Sequence, residues 1–156
     1  MFKKIAVGMD GSERAEHALI TAEQVARESG ASLVITHVDE QTVGKGGGHL
    51  RADEHEIVVA LEKKAQSLRD AGVDASVEVA AMMTGSVGNR LAEMAAAAGA
   101  DLIVVGTRGH SGVAGTLLGS ASHKLLAHAH VPVLVVPDAE QAAARGALEA
   151  KAGTAS

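Results

Sequence analysis

Between positions 106 and 120 the chain reads Gly106-Thr107-Arg108-Gly109-His110-Ser111-Gly112-Val113-Ala114-Gly115-Thr116-Leu117-Leu118-Gly119-Ser120 and leads directly into a helical pattern. Glycines let a main chain approach a ligand closely with its amides turned inward, and a helix N-terminus adds unbonded donors and a partial positive charge. The chemistry of such a loop is to cradle a phosphate. Ser120 adds a hydroxyl at the cap position, and Arg108 or His110 can supply charge-assisted bonds to an anion. The same glycines equally suit a strand end and a helix cap with no ligand, and the loop alone does not choose between the two.

Other reactive groups point to less. The chain has no cysteine, which excludes a thiol nucleophile, a thiolate zinc site and a disulfide framework. Its eight histidines show no metal-ligand spacing. His49 and His55 flank a glycine-rich connection, His128 and His130 precede the last strand, and His37 is expected near the strand-end cleft, so structural or solvent roles are the expectation. A Gly-x-Ser-x-Gly elbow is absent, so no Ser, His and Asp grouping has nucleophile context. Gly44-Lys45-Gly46-Gly47-Gly48 lacks the spacing and the Lys-Ser/Thr of a Walker A loop and is expected to be a mobile flap. Met82 and Met83 read as apolar filler beside the cleft.

The elements that must position the cradle follow from composition and periodicity. A chain of 156 residues, 47% hydrophobic and 21% charged, fits one domain with one core. The net charge of -5 argues against nucleic acid, and Lys45 and Arg51 are too sparse to reverse that. With Phe2 the single aromatic residue, stacking platforms are unavailable and the core must be aliphatic. Phe2-Lys3-Lys4-Ile5-Ala6-Val7 is interrupted by Asp10, Ser12, Glu13 and Arg14 before a signal-peptide core could complete, and no stretch approaches the roughly 18 apolar residues of a membrane span. A cytoplasmic protein is expected.

Lys3 to Met9 reads as a strand, and Asp10-Gly11-Ser12 as a turn in which the Ser12 hydroxyl caps a helix running to about Ser29, closed by Gly30. Ala31 to Val38 is a continuous apolar strand, of the kind found where helices cover both faces of a parallel sheet. A helix over Asp53 to Ala71 follows. Val73, Ala75, Val77 and Val79 then alternate with polar residues, as at a sheet edge. Ser86 to Ala98 makes a third helix, Leu102 to Val105 a buried strand ending at Gly106, Ser120 to His128 a fourth helix, and Val131 to Val136 a fifth strand. Asp138 to Ser156 is Ala-rich and reads as a frayed helix or a flexible tail. Five strands alternating with four helices imply an α/β single-domain open doubly wound five-stranded parallel sheet with helices on both faces. Ligands in such sheets bind beyond the carboxyl ends of the strands, where strand order reverses.

The pattern Gly106-x2-Gly109-x9-Gly119-Ser120 resembles the nucleotide-binding signature of the universal stress protein family. The resemblance extends to Lys3-Lys4-Ile5-Ala6-Val7 leading into Asp10-Gly11-Ser12, to Thr36-His37-Val38, to Asp101 through Gly106, and to Val131 through Pro137, so that residues 1–137 form the resembling domain and 138–156 a tail. It implies strand order 3-2-1-4-5, a homodimer, and binding of ATP or another adenine nucleotide such as AMP or cyclic AMP, with Mg²⁺ possible beside ATP. Carried over by position, it implies that Gly8 and Asp10 lie near the adenosine and the backbone of Val38 against adenine. Gly106 and Gly109 would line the ribose and phosphates with His110 alongside, and Gly119, Ser120, Ala121 and Ser122 would hold the phosphates. Arg108 occupies a variable position of the motif. Asp10 also has a plain reading as a turn or capping residue. Gly8-Met9-Asp10-Gly11-Ser12 matches poorly the Ser-Gly-Gly-x-Asp-Ser loop of related pyrophosphatase-type folds, which weakens an adenylating-enzyme reading.

The leading expectation is therefore a nucleotide-binding regulatory protein in which binding is the function and no residue is catalytic. A slow ATPase or phosphotransferase is the alternative, with Asp10, Asp39 or His110 as activators of water. A third reading is a nucleotide-free module that pairs through its last strand, since Val131 to Val136 is apolar on both sides and needs a cover if it lies at an edge.

Overall fold

A computed structural model describes residues 1–41, 50–83, 85–107 and 118–153. In chain order the elements are β1 (Lys4–Gly8), a short 3₁₀ turn (Glu13–Ala15) running into α1 (Glu16–Ser29), β2 (Ser32–Glu40), α2 (Leu50–Asp70), β3 (Ala75–Met82), α3 (Val87–Ala97), β4 (Leu102–Gly106), α4 (Ser120–His128), β5 (Val133–Val136) and α5 (Ala139–Gly153). The five strands form one sheet in the order β3-β2-β1-β4-β5. Every neighbouring pair is parallel: Lys4 lies opposite Ser32, Ile5 opposite Leu102, Leu33 opposite Ala75 and Ile103 opposite Val133. The architecture is α/β, with helices on both faces of an open parallel sheet.

Strand periodicity explains the two cores. Successive side chains of a strand point to opposite faces, so Ile5, Val7, Met9, Leu33, Ile35, Leu102 and Val104 pack beneath α1 and α2 with Leu19, Ala22, Leu61 and Ala65. Their sequence neighbours Ala6, Val34, Val38, Ile103 and Val105 pack on the other face against Leu91 and Met94 of α3 and Leu125 of α4. Both faces being covered is why β1, β2 and β4 are apolar without alternation. Ile5, Leu33, Ile35, Leu61 and Leu125 are essentially inaccessible to water, each contributing roughly 1.5–3 kcal/mol of transfer free energy. Gly30 ends α1 in the left-handed region at φ 68°, its amide bonded to the Ala26 carbonyl, a backbone state that any side chain would strain.

Several local expectations shift. The Ser12 hydroxyl caps no helix; it donates to Asp10 Oδ1 at 2.5 Å, because the aspartate two residues upstream is the stronger acceptor. β3 begins at Ala75 rather than Val73 and runs on to Met82. It is an edge strand, and Val79 on it is 43% exposed. Met83 is 66% exposed and fills nothing, whereas Met82 packs against the second core. The segment after Pro137, read as a frayed helix or tail, is helical from Ala139 to Gly153. The glycine run 44–48 lies outside the described residues. No helix among the described residues is long and apolar enough to cross a membrane.

Candidate functional site

In this strand order β1 is flanked by β2 and β4, whose connections leave on opposite faces of the sheet, so a crevice opens beyond the carboxyl ends of β1 and β4. Gly8 to Asp10 stand at the carboxyl end of β1 and Gly106 with Thr107 at that of β4, with the amino end of α4 bonded to the latter. Two short bonds fix α4 there. The Gly119 amide donates to the Thr107 carbonyl at 2.5 Å, and the Ser122 hydroxyl donates to the Gly106 carbonyl at 2.7 Å.

The residue at the N-cap of α4 is Gly119, extended at φ -69° and ψ 160°, and no side chain caps the helix. Ser120 is thus the first helical residue and not the cap, which corrects the reading that put its hydroxyl at the cap position. The first amides of an α-helix have no intrahelical acceptor. Those of Ser120, Ala121 and Ser122 therefore face the crevice end of α4 with the positive pole of its dipole. Ser122 is buried and its hydroxyl is committed to Gly106; what it can offer an anion is its amide.

The neighbouring helix sets the position of α4 by close approach. A Cβ built on Gly88 of α3 would lie 2.2 Å from the Ala121 carbonyl oxygen and 2.6 Å from the Leu125 amide nitrogen. Both are main-chain atoms that cannot swing aside, so only glycine permits this crossing.

On the β1 side Asp10 Oδ1 accepts the Ser12 amide at 2.9 Å as well as its hydroxyl, the turn geometry that aspartate favours. Gly11 sits at φ +82°, where an added Cβ would meet the Ile57 side chain at 3.0 to 3.2 Å. At Gly8 a Cβ would touch Val105 Cγ1 at 3.0 Å and Leu91 Cδ1 at 3.2 Å. Beside this turn His37 is buried. Its Nδ1 meets the Met9 carbonyl at 2.7 Å and its Nε2 meets Glu54 Oε2 at 2.8 Å. A carbonyl can only accept, so Nδ1 carries a hydrogen, and His37 ties the ends of β1 and β2 to α2. Val38, also buried, follows it at the carboxyl end of β2.

The carboxyl ends of β1, β2 and β4 and the first turn of α4 thus carry Gly8, Asp10, Val38, Gly106, Gly119, Ser120, Ala121 and Ser122. Arg108, Gly109 and His110 lie outside the described residues. Two cavities, of about 490 and 510 Å³, open elsewhere: one between α1 and α2 beside Leu19 and Lys64, the other at the amino end of the sheet beside Lys3 and Arg27. They hold none of the residues expected at the site, and the strand-end crevice, with amides that have no acceptor within their own helix, is the stronger candidate on chemical grounds. Among the described residues no group of three His, Asp or Glu is placed to hold a metal ion. At the opposite end of the sheet the Lys3 amide, chiefly, and the Lys4 amide hold the Asp101 carboxyl below its ordinary value, while partial burial works against them.

Residues that motif reading did not single out also shape the site. Thr107 joins β4 to its neighbours, and Gly88 and Glu54 act across long sequence separations that leave no local mark. Gln141 does leave one: Asp138-x-x-Gln141 has the spacing of a capping box.

Comparison with known proteins agrees with the fold. The family model described as "Universal stress protein family" matches residues 1–137. A universal stress protein of Thermus aquaticus is 34% identical over 138 residues, covering 87% of this chain and 99% of its own length. A crystal structure of a universal stress protein in complex with cAMP superposes with a TM-score of 0.66 at 28% identity, covering 86% of this chain and 97% of that one. UspA from Lactobacillus plantarum shares the fold with a TM-score of 0.74 at 20% identity, covering 86% of this chain and 97% of its own.

Proposed function

The chain belongs to the universal stress protein family, and on that premise we propose that it is an adenine-nucleotide-binding protein that acts in stress response or regulation through ligand-dependent conformation or association. One observation carries the reading: the uncapped amino end of α4, with the amides of Ser120, Ala121 and Ser122 lacking helical partners, stands at the point where strand order reverses. The cAMP complex of a 28% identical relative supports an adenine nucleotide as the guest.

In this reading the phosphates lie on the first turn of α4, with Gly119 and the hydroxyl of Ser120 beside them. Gly106, Gly109, His110 and Arg108 flank the ribose and phosphates. Gly8 and Asp10 approach the adenosine, and the backbone of Val38 meets adenine. ATP and AMP are the principal candidates, with Mg²⁺ accompanying ATP. A ligand moves a conformational equilibrium only by its difference in affinity for the two states, so regulation requires that a neighbouring element sense the cradle. The reading carries a cytoplasmic location and a homodimer through the last strand. The support for the dimer is that β5 lies at the sheet edge with Leu134 37% exposed, a row of open main-chain groups that a second copy would cover.

Titration calorimetry of the purified chain with ATP, AMP and cyclic AMP, each with and without Mg²⁺, tests the proposal. Saturable heat with at least one of them is expected. No heat with any of the three removes the reading. Light scattering at micromolar concentration tests the association separately, and a monomer throughout would remove the dimer.

A further inference from the structure

The chain continues past the span matched by the family model, and the continuation is tied to the cradle. Asp138 and Gln141 form a reciprocal cap on α5: Asp138 Oδ1 accepts the Gln141 amide at 2.8 Å, and Gln141 Oε1 accepts the Asp138 amide at 3.3 Å. The same Oε1 accepts the hydroxyl of Thr107. Asp138 is only 5% exposed, and its second oxygen faces Arg14 Nε at 4.0 Å. Thr107 has its main chain committed as well. Its amide donates to the Val136 carbonyl at 3.0 Å and its carbonyl accepts the Gly119 amide at 2.5 Å. One residue at the end of β4 therefore bonds to β5, to the N-cap of α4 and to the cap of α5.

Beyond that cap most of the described side chains of α5 face solvent. Ala142, Ala143 and residues 146–153 are exposed, with Leu148 at 67%. An isolated helix of about 15 residues is marginal in water, and a good cap contributes roughly 1 kcal/mol. The order of α5 thus depends on the cap, and the cap depends on where Thr107 stands.

We propose that Asp138 and Gln141 are positioning residues for the cradle, and that through Thr107 the helicity of α5 is coupled to occupancy of the crevice. The inference rests on the nucleotide reading above. A guest on the first turn of α4 settles Gly119, hence the Thr107 carbonyl, hence the hydroxyl that Gln141 receives. By reciprocity, anything that stabilises α5 tightens nucleotide binding by the same factor.

The test uses the full chain and two readouts, calorimetric affinity for ATP and AMP and hydrogen exchange over residues 138–153. In the wild type, saturating nucleotide should slow exchange in α5 about three- to tenfold. Gln141→Leu and Thr107→Val should each weaken affinity by about the same factor and abolish the slowing. Gly146→Ala is the decisive variant. Its added methyl meets nothing within 4 Å and makes a better helix former, so it should tighten nucleotide binding severalfold in the wild-type background and have no effect beside Gln141→Leu. If nucleotide binds but leaves α5 exchange in the wild type unchanged, and Gly146→Ala and Gln141→Leu bind it as tightly as the wild type, the coupling is overturned and the nucleotide reading stands. If the wild type binds no nucleotide, both fall. Should Gln141→Leu or Thr107→Val fail to fold, wild-type exchange and Gly146→Ala decide without them.

Discussion

The hydroxyl of Ser122 donates across 2.7 Å to the carbonyl of Gly106, sixteen residues earlier and on the neighbouring strand. This bond fastens the first turn of α4 to the end of β4 from inside the protein. The end of β4 and the first turn of α4 are held together by a side chain that faces inward, while the amides beside it have no acceptor within their own helix.

Ser122→Ala is accordingly expected to destabilise the fold by about 1–3 kcal/mol, the usual cost of leaving a buried acceptor without its donor. Nucleotide affinity should fall with it, since the amides lose their fixed spacing. Urea unfolding and calorimetry on the same preparation check both; a variant as stable as the wild type would show that the bond is idle.

Two glycine-to-alanine changes should have opposite signs. At Gly88 the new methyl would lie 2.2 Å from the Ala121 carbonyl oxygen, so α4 must move away from α3. A loss of about 1–3 kcal/mol is expected, together with weaker nucleotide binding. At Gly146 the methyl meets nothing, and a gain of up to roughly 1 kcal/mol in helix stability follows from propensity alone. Thermal unfolding for the first, and far-ultraviolet dichroism and exchange over α5 for the second, measure the pair.

Asp101 sets part of the acid stability. Its carboxylate accepts the Lys3 amide at 2.9 Å and the Lys4 amide at 3.1 Å, joining the first strand to the fourth. These amides stabilise the charged form, so the folded-state acidity lies below the unfolded value of about 3.9. A depressed carboxyl stabilises the fold fully above the unfolded value and loses that contribution as pH falls through the folded one. Asp101→Asn should therefore be less stable than the wild type at neutral pH, with the gap closing below about pH 3.9. Urea midpoints across pH 2 to 7 check this, and a gap independent of pH would contradict it.

His37 offers a buried counterpart. His37→Leu leaves the Met9 carbonyl and Glu54 without a partner that now lies 2.7 and 2.8 Å away. A loss of about 1–3 kcal/mol is expected in unfolding measurements, larger than for His128→Leu, whose exposed ring bonds to the Lys124 carbonyl of its own helix.

Much of this was legible in the residues themselves, and the rest fails for identifiable reasons. The unbroken apolar runs of β1, β2 and β4 announce a sheet covered on both sides, and Gly30 stops α1 where helical periodicity ends. The helix Ser120–His128 follows its glycine loop with the bounds that periodicity suggests. Local pattern is silent on partners. It puts the Ser12 hydroxyl on a helix cap, and Asp10 takes it instead; the family resemblance implies a phosphate role for Ser122, and its hydroxyl donates to Gly106, a bond across sixteen residues that no local pattern marks. Gly88 looks like a poor helix residue until α4 lies against it. The Ala-rich stretch after Pro137 looks too weakly apolar to order, because the capping of α5 by Asp138 and Gln141 involves Thr107, which lies 34 residues before Gln141 in the chain.

The amides of Ser120, Ala121 and Ser122 are the groups on which the account turns, and ¹H–¹⁵N correlation spectra of the full chain during titration with ATP and AMP observe them individually. These three resonances are expected to shift progressively and to saturate together with those of Gly106, Thr107 and Gly119. Saturable binding that leaves all six unmoved, with shifts confined to the groove between α1 and α2, would contradict it.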